Sequence, residues 1–566
     1  MADSEDKNPI VVVGGGFAGT TLLTHTLLRI AADPTITEPV KILMVERHQE
    51  QMHGGVAYSH GAAYKKHNLN AGANSLDMFP GGDPPEGFQT FVQYIQAKAA
   101  DGHPEMLDNL INPSRQLVHA YITDMLEIAK EKAGAKVDLE VALRKATHIE
   151  EKPDGGAIIE FGDGSSVECC HAILATGFQE AVAPRFAQKA ADHPHFMDAP
   201  YSAKANSLYE DAVAHPNSRT LVIGTGLTAM DIAARLINTG YTGEIVMMSR
   251  RGLMHNTYED TPPEEYLAKG KMIGEARDID TLEISKHRPK FLEAETTAEL
   301  VKTLVTEFNE WRAQGYTSPE ILIYWERFVP DVCAKFPHKD LAALFADHEA
   351  LITSSRVGVT PNTGITVREG MKNGQIQVAM GAIKDISPGP DGTLVATYNP
   401  AQGDISMVSM QFNAAEKRTE QASFDYVFSA MGNTSNYAMP PEHISDPLWR
   451  GLMQDGKAQP HWTKSGIAVS KDFSMLDAEG NASTSISVIG VPVAGHMMTT
   501  AYAYPHKPEI KGGKLGPNAL GATTISAEIK MLLDAKYDSM VAGFRPEAPA
   551  AEQSVVRRQK ILQPVR

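Results

Sequence analysis

The stretch Ile10-Val11-Val12-Val13-Gly14-Gly15-Gly16-Phe17-Ala18-Gly19 lies almost at the amino terminus of the chain. Four β-branched residues lead into Gly-x-Gly-x-x-Gly, and apolar residues at helical spacing follow. This order predicts a buried strand, a tight turn and a helix whose positive amino-terminal end faces a pyrophosphate. Gly14 permits the turn, Gly16 lets the backbone approach the phosphates, and Gly19 lets the helix pack closely against the sheet. The chain is therefore predicted to begin with an α/β dinucleotide-binding unit.

The residues after this helix support the same unit. A second β-rich run, residues 40–47, ends in the acid Glu46, and a carboxylate at that strand end accepts hydrogen bonds from ribose hydroxyls. The distance from the glycines to Glu46 exceeds the roughly twenty residues usual for the unit, which predicts an extended helix or loop. These elements together favour a dinucleotide site over a strand–helix turn that binds nothing. Besides the three glycines, the predicted contacts are Phe17, Ala18, Glu46 and Arg47.

A second fingerprint stands in the middle of the chain, at Thr220-Leu221-Val222-Ile223-Gly224-Thr225-Gly226-Leu227-Thr228-Ala229. It also runs from a strand through Gly-x-Gly-x-x-(Gly/Ala) into a helix pattern. Two such units imply that electrons pass from one dinucleotide to another. We therefore expect an α/β fold with two Rossmann-like domains. Four residues are predicted to contact the second dinucleotide, namely Gly224, Gly226, Leu227 and Thr228.

The strand after the second fingerprint ends differently from its counterpart in the first unit. Residues 244–249 lead into Arg250-Arg251, where the first unit has an acid. Two guanidinium groups bind a ribose 2′-phosphate, which a carboxylate would repel. Arg250 and Arg251 are therefore predicted cofactor contacts, and they favour NADPH over NADH. The alternative, that both are solvated loop charges, stays open.

Composition limits the classes of function. The chain has 566 residues, 69 Asp and Glu against 52 Lys and Arg, and a net charge of −17. So acidic a surface disfavours nucleic acid and anionic membranes as partners, and no apolar run is long enough to span a bilayer. Only three cysteines are present, which predicts a reducing compartment, the cytoplasm. The histidines show no metal-binding spacing, so no metal is predicted. The sequence leaves the oligomeric state open.

Four segments resemble a known group of proteins. They are Gly54-Gly55-Val56-Ala57-Tyr58 with His67-Asn68-Leu69-Asn70, Ile173-Leu174-Ala175-Thr176-Gly177, residues 222–251, and Asp425-Tyr426-Val427-Phe428-Ser429-Ala430-Met431-Gly432. On these segments the chain resembles the two-dinucleotide-binding-domain flavoproteins, and within them a group of FAD/NAD(P)-binding proteins. That group is akin to class B flavin monooxygenases and amine N-hydroxylases. Met431 departs from the threonine usual at its position.

The resemblance implies FAD in the first domain and NADPH in the second. It adds Asn70, Thr176, Gly177, Gly432 and Gly490 to the expected cofactor contacts. No catalytic residue is identified; the candidates are Asn70, whose amide would satisfy a polar atom of the flavin or substrate, and His67. An ordinary core or surface histidine is the alternative for His67.

The resemblance also implies an order of domains. The FAD-binding domain is expected over residues 1–200 and again over 425–540, and the NADPH-binding domain over 201–424. A helical insertion is expected at about 260–350, because charge-rich helical patterns occur there. Residues 541–566 are expected to form a loose tail.

The expected activity is NAD(P)H-dependent oxidoreduction on FAD, with a small-molecule substrate and oxygen as partners. The resemblance favours a monooxygenase that hydroxylates a small polar substrate, a class that includes amines. The chain contains no Cys-x-x-Cys pair, which disfavours disulfide reduction. Two alternatives stay open: a flavin reductase or dehydrogenase that inserts no oxygen, and a non-catalytic FAD-binding redox sensor.

Overall fold

Helices and strands alternate through the computed structural model, which confirms the predicted α/β class. No helix within the described ranges is long and apolar enough to cross a membrane. The described residues are 7–59, 68–69, 73–79, 84–110, 112–255, 283–316, 318–344, 359–401, 418–431, 436–499 and 522–546.

In the described chain, six strands form the first sheet, in the order β15-β16-β7-β1-β2-β3. All its neighbours pair in parallel except β15 and β16, which are antiparallel. All four residues of β1 are buried, as expected for a parallel sheet covered on both faces. The strands are β1 Ile10–Val13, β2 Val40–Glu46, β3 Val137–Leu143, β7 His171–Leu174, β15 Ser474–Leu476 and β16 Ala482–Val488.

The second sheet has seven strands in the described chain, in the order β13-β12-β11-β10-β9-β14-β8. The neighbouring strands β8, β14, β9, β10 and β11 pair in parallel. Strands β12 and β13 extend the sheet beyond β11 with antiparallel pairing. Its strands are β8 Phe196–Met197, β9 Arg219–Ile223, β10 Glu244–Ser249, β11 Ile376–Pro388, β12 Leu394–Pro400, β13 Glu420–Phe424 and β14 Tyr426–Ser429.

The other elements cover and connect these two sheets. A three-stranded antiparallel meander is formed by β4 Ala146–Glu151, β5 Ala157–Phe161 and β6 Ser166–Cys169. The α-helices are α1 Phe17–Ala32, α2 Phe91–Ala100, α3 Arg115–Ala133, α4 Lys204–Ala214, α5 Leu227–Asn238, α6 Thr297–Ala313, α7 Ser318–Glu326, α8 Val329–Lys335, α9 Pro361–Lys372, α10 Pro447–Gln454, α11 Ala494–Thr499 and α12 Ala522–Val541. Helices α3 and α12 pack on α1, and α9 packs on α5.

The sheets place the borders of the second domain differently from the sequence prediction. β14 follows residue 425, yet Tyr426 pairs with Thr220 of β9. β8 ends before residue 201, yet Phe196 pairs with Val427 of β14. The predicted borders at 200/201 and 424/425 are therefore corrected, because each would cut a hydrogen-bonded strand from the second sheet. Among the described residues that follow β14, those of β15 and β16 belong to the first sheet.

Between the strands β10 and β11, the described residues 283–344 are helical and have a hydrophobic core of their own. Trp311 and Trp325 lie in this core, and Trp462 from the later part of the chain packs against it. The Trp462 ring stacks on His338, with centroids 4.4 Å apart and planes at 5°. Helices α6, α7 and α8 thus form a body docked against the segment that precedes β15. The remainder of the predicted insertion at 260–350 lies outside the described residues.

The packed part of the chain extends past the predicted start of the tail. Helix α12 ends at Val541, and Phe544 beyond it is 2% exposed. The Arg545 guanidinium bonds the Asp33 carboxylate at 2.8 Å. Residues 541–546 are therefore not a loose tail, because an apolar side chain and an ion pair fix them to the first domain. The rest of the predicted tail lies outside the described residues.

Candidate dinucleotide sites

The turn between β1 and α1 requires glycine at two positions. Gly14 has φ of +110°, and a Cβ placed there would lie 2.3 Å from the Ala175 carbonyl oxygen. A Cβ on Gly19 would lie 1.9 Å from the Gly14 carbonyl oxygen. Both distances are far inside van der Waals contact, so any side chain would force the turn apart. The two roles predicted from the fingerprint, a tight turn and close packing of the helix, agree with this geometry.

The amino-terminal end of α1 is not closed by a side chain. Its N-cap is Gly16, which makes no side-chain capping bond, and the N-cap of α5 is Gly226, which is equally uncapped. Five other helices begin at a Ser, Thr or Asp whose side chain accepts a backbone N–H, namely α2, α3, α6, α9 and α10. Helices α4 and α8 also lack a side-chain cap, but they begin after Ala203 and Phe328 and follow no glycine turn. The helix dipole and the glycine-led backbone make the starts of α1 and α5 suited to phosphate.

Glu46 ends β2 beside this turn and is 6% exposed. One carboxylate oxygen accepts the Gly15 N–H at 2.9 Å, and the other accepts the Arg47 N–H at 2.8 Å. These bonds fix the acid at the edge of the glycine turn, where the sequence placed a ribose-binding group. Contact with the ribose itself stays a prediction.

A cavity of about 240 Å³ opens beside the turn. It brings together eight predicted contacts, namely Gly14, Gly16, Phe17, Ala18, Glu46, Arg47, Thr176 and Gly177. Gly54 to Tyr58 line the opposite wall, and the Phe17 and Tyr58 rings meet edge to face at 5.4 Å. Gly490 does not line the cavity, although its neighbour Val491 does. The glycine backbone and the uncapped helix end fit the pyrophosphate of a dinucleotide, and the apolar walls fit its rings.

The second fingerprint repeats this geometry. Gly224 has φ of +120°, and a Cβ placed there would lie 3.0 Å from the Ala430 carbonyl oxygen. Gly226 caps α5, and Leu227 and Thr228 form its first turn. A Cβ on Gly226 would lie 3.7 Å from the His255 ring, in van der Waals contact with it.

The strand end after the second fingerprint carries the arginine pair. The Thr225 and Ser249 hydroxyls lie 2.9 Å apart, which joins the glycine turn to the end of β10. Arg250 and Arg251 follow directly, the first exposed and the second half-buried. The two arginines therefore stand at the edge of the sheet on which α5 begins. Binding of a 2′-phosphate there stays a prediction.

Comparison with known proteins agrees with the first site. Residues 11–179 match the family of FAD-NAD(P)-binding domains. No protein of curated function matches the chain in sequence.

Solved structures extend the likeness from this segment to the whole fold. An ornithine N-hydroxylase of Kutzneria sp. 744 is 13% identical, covers 94% of this chain and 100% of its own, and gives a TM-score of 0.53. A cadaverine monooxygenase of Erwinia amylovora is 11% identical, covers 96% of both chains, and gives 0.54. The ornithine hydroxylase of Pseudomonas aeruginosa, in its reduced form, is 12% identical, covers 93% of this chain and 100% of its own, and gives 0.53. The chain therefore has the fold of the two-dinucleotide-binding-domain flavoproteins, as its sequence resemblance implied.

Two residues near the first site, Asp446 and Glu528, come from distant parts of the chain and were not predicted. Arg47 bonds the Asp446 carboxylate at 3.1 Å and the Phe178 carbonyl at 3.2 Å. Burial raises the pKa of Asp446, and the Arg47 guanidinium opposes that shift. Asp446 is also the N-cap of α10, directly before Pro447. Its capping role was readable from the sequence, but its contact with Arg47 was not.

Glu528 of α12 is a second residue that the sequence did not identify. Its carboxylate accepts the Gly490 N–H at 2.8 Å and is 3% exposed. Burial raises the pKa of this carboxyl to about 8, and the Gly490 N–H partly opposes the shift. Gly490, with φ of +77°, is thereby held where a Cβ would lie 3.0 Å from Ala18 Cβ.

Three predicted site residues lie outside the described residues. They are the two catalytic candidates, His67 and Asn70, and the cofactor contact Gly432. In the part of the chain that the structure describes, no group of three or more His, Cys, Asp or Glu side chains is arranged to hold a metal ion.

Proposed function

We propose that the protein is an FAD-dependent oxidoreductase that consumes NADPH, and that it hydroxylates a small polar substrate of the amine class. One observation carries the proposal: two glycine-led, uncapped helices, α1 and α5, follow parallel strands of two separate sheets. One such helix end binds one pyrophosphate. Two ends in one chain support two dinucleotides and the passage of electrons between them.

Each predicted residue has a binding task in this proposal. The backbone at Gly14 and Gly16 holds the FAD pyrophosphate, and Glu46 holds its ribose. The backbone at Gly224 and Gly226 holds the NADPH pyrophosphate, and Arg250 with Arg251 holds its 2′-phosphate. FAD, when bound, supplies the two-electron chemistry that links NADPH to oxygen. Asn70 and His67 stay the catalytic candidates.

The monooxygenase proposal rests on likeness to enzymes whose names state hydroxylation of ornithine and a monooxygenase reaction on cadaverine. In such a reaction one oxygen atom of O₂ enters the substrate, the other leaves as water, and NADPH supplies two electrons. The acidic net charge of −17 favours a cationic substrate over an anionic one. The low cysteine content supports our placement of the protein in the cytoplasm.

A second candidate is a flavin reductase or dehydrogenase without oxygen insertion, and a third is a redox sensor that holds FAD without turnover. The thiols favour neither a disulfide reductase nor a thiol sensor. Burial raises the pKa of Cys169 to about 12 and that of Cys170 to about 11, which keeps both unreactive at neutral pH.

The candidates separate in one experiment. Purified protein is given NADPH, oxygen labelled with ¹⁸O and a panel of diamines and basic amino acids, and NADPH loss, peroxide and products are followed. A substrate that gains one ¹⁸O atom per NADPH supports the monooxygenase. Rapid NADPH loss with all consumed oxygen recovered as peroxide would indicate the reductase. If no compound causes NADPH loss, the redox sensor is the remaining candidate.

A further inference from the structure

Arg115 connects the wall of the first site to the second domain. It is the first residue of α3, directly after the N-cap Ser114. One guanidinium nitrogen donates to the Ala57 carbonyl at 2.8 Å, and Ala57 lines the FAD cavity. The guanidinium carbon lies 5.1 Å from the centroid of the Tyr201 ring, in the segment between β8 and α4. One side chain therefore touches both the cavity wall and the start of the second domain.

The contact continues into the helix of the second fingerprint. The Tyr201 hydroxyl donates to the Asp231 carboxylate at 2.8 Å. Asp231 is the fifth residue of α5, one turn from Gly226, and is 6% exposed. Burial raises the pKa of Asp231, and the nearby Arg115 charge is the largest influence that opposes the shift. Ala57, Arg115, Tyr201 and Asp231 thus form one connected path between the two sites.

Separating the groups of this path would cost free energy. An arginine over an aromatic ring contributes ~0.5–2 kcal/mol, more when water is excluded. A buried carboxylate that loses its nearby cation becomes costly, because its charge is left uncompensated. The Arg115 Nε is itself buried and has no hydrogen-bond partner. The packing around Arg115 must therefore hold the guanidinium in this position.

We propose that Arg115 is a positioning residue that sets the spacing of the two dinucleotide sites, so that the nicotinamide reaches the flavin in a reactive geometry. This inference rests on the proposed function. Hydride transfer needs the reacting atoms ~3–3.5 Å apart, and a displacement of ~1 Å costs on the order of a hundredfold in rate. Arg115 controls this distance through Ala57 on one side and through Tyr201 and Asp231 on the other.

The kinetic test compares Arg115→Met with Arg29→Met. Arg29 lies over the Tyr537 ring at 4.6 Å and pairs with Asp534. It makes the same kind of contact in the last turn of α1, at the end far from the glycines. FAD-loaded proteins are mixed anaerobically with NADPH and, separately, with dithionite, which needs no nicotinamide site. For Arg115→Met the limiting rate with NADPH falls about tenfold or more, while the dithionite rate and the Arg29→Met rates stay at the wild-type value. An NADPH rate within about twofold of wild type would overturn the inference.

Hydrogen exchange provides a readout without turnover. In the wild type, the Gly55 N–H donates to the Gln51 carbonyl and the Tyr58 N–H to the Gly54 carbonyl. Arg115→Met should speed amide exchange in residues 51–59, because the wall loses its anchor at Ala57, and Arg29→Met should not. Unchanged exchange would contradict the inference.

A second variant decides the question if Arg115→Met fails to fold. Tyr201→Phe keeps the ring under the guanidinium but removes the bond to Asp231. It should slow reduction by NADPH and not by dithionite, and equal effects on both would reject the path. If wild-type protein loaded with FAD is not reduced by NADPH at all, the proposed function fails, whereas the exchange test of the Arg115 anchor keeps its meaning.

Discussion

The Trp449 indole N–H donates to the Thr176 hydroxyl at 2.9 Å, across 273 positions of sequence. Thr176 lies two residues after β7 and lines the cavity at the first fingerprint, and Trp449 belongs to α10 and is fully buried. Asp446, the N-cap of α10, pairs with Arg47. The segment at residues 446–449 therefore supports Thr176 and Arg47, two residues that line the cavity beside the amino-terminal fingerprint.

Trp449→Phe tests this support. The variant keeps most of the buried ring but leaves the Thr176 hydroxyl without its donor. We expect the free energy of unfolding to fall by ~1 kcal/mol and FAD to bind more weakly, because the strand end loses its anchor. Denaturant unfolding and fluorescence titration with FAD measure the two effects. Unchanged stability together with unchanged affinity would show that the bond supports nothing.

Gly16→Val should give colourless protein. A Cβ at this position would already lie 3.1 Å from Gly55 Cα, and the larger side chain would fill the space that the pyrophosphate needs. Gly543→Val is the matched control, because a Cβ there meets nothing within 4 Å. Visible absorbance of the purified proteins is the measurement. A Gly16→Val protein that retains a full complement of FAD would refute the site.

The arginine pair predicts a preference between the two nicotinamide coenzymes. The double variant Arg250→Ala with Arg251→Ala should raise the Michaelis constant for NADPH by about tenfold or more, because hydrogen bonds to a charged group contribute ~1.5–3 kcal/mol. The Michaelis constant for NADH should change little. Lys189→Ala is the control, because it removes an exposed cation that pairs with Asp385 in the same sheet region. Steady-state kinetics with both coenzymes decide the matter. Equal increases for NADPH and NADH would defeat the 2′-phosphate assignment.

Glu528 predicts how stability depends on pH. Its pKa is about 8 in the folded protein against an ordinary value of 4.5, so between these values the folded state binds the extra proton. Stability contributed by the protonated carboxyl is therefore fully present below pH 4.5 and is lost progressively as pH rises to 8. Glu528→Gln, which stays neutral, should unfold less readily than wild type at pH 8 and similarly at pH 4.5. Denaturant unfolding from pH 4.5 to 9 tests this, and parallel curves would contradict it.

The sequence predicted the local parts of this structure well. The turn at Gly14 and the helix start at Gly226 depend on residues within ten positions of each other, so backbone rules alone identified them. The border near residue 425 was placed wrongly, because a buried strand such as β14 carries no mark of the sheet it joins. The contacts of Arg47 with Asp446 and of Arg115 with Tyr201 could not be predicted, since they join segments whose approach depends on the whole fold.

We propose that reducing equivalents pass from NADPH to FAD within this one chain. Anaerobic addition of NADPH to purified protein loaded with FAD, with the visible flavin absorbance followed in time, tests this transfer. We expect one equivalent of NADPH to remove the absorbance of one equivalent of FAD. Protein that takes up no FAD, or whose bound FAD keeps its absorbance in excess NADPH, would contradict it.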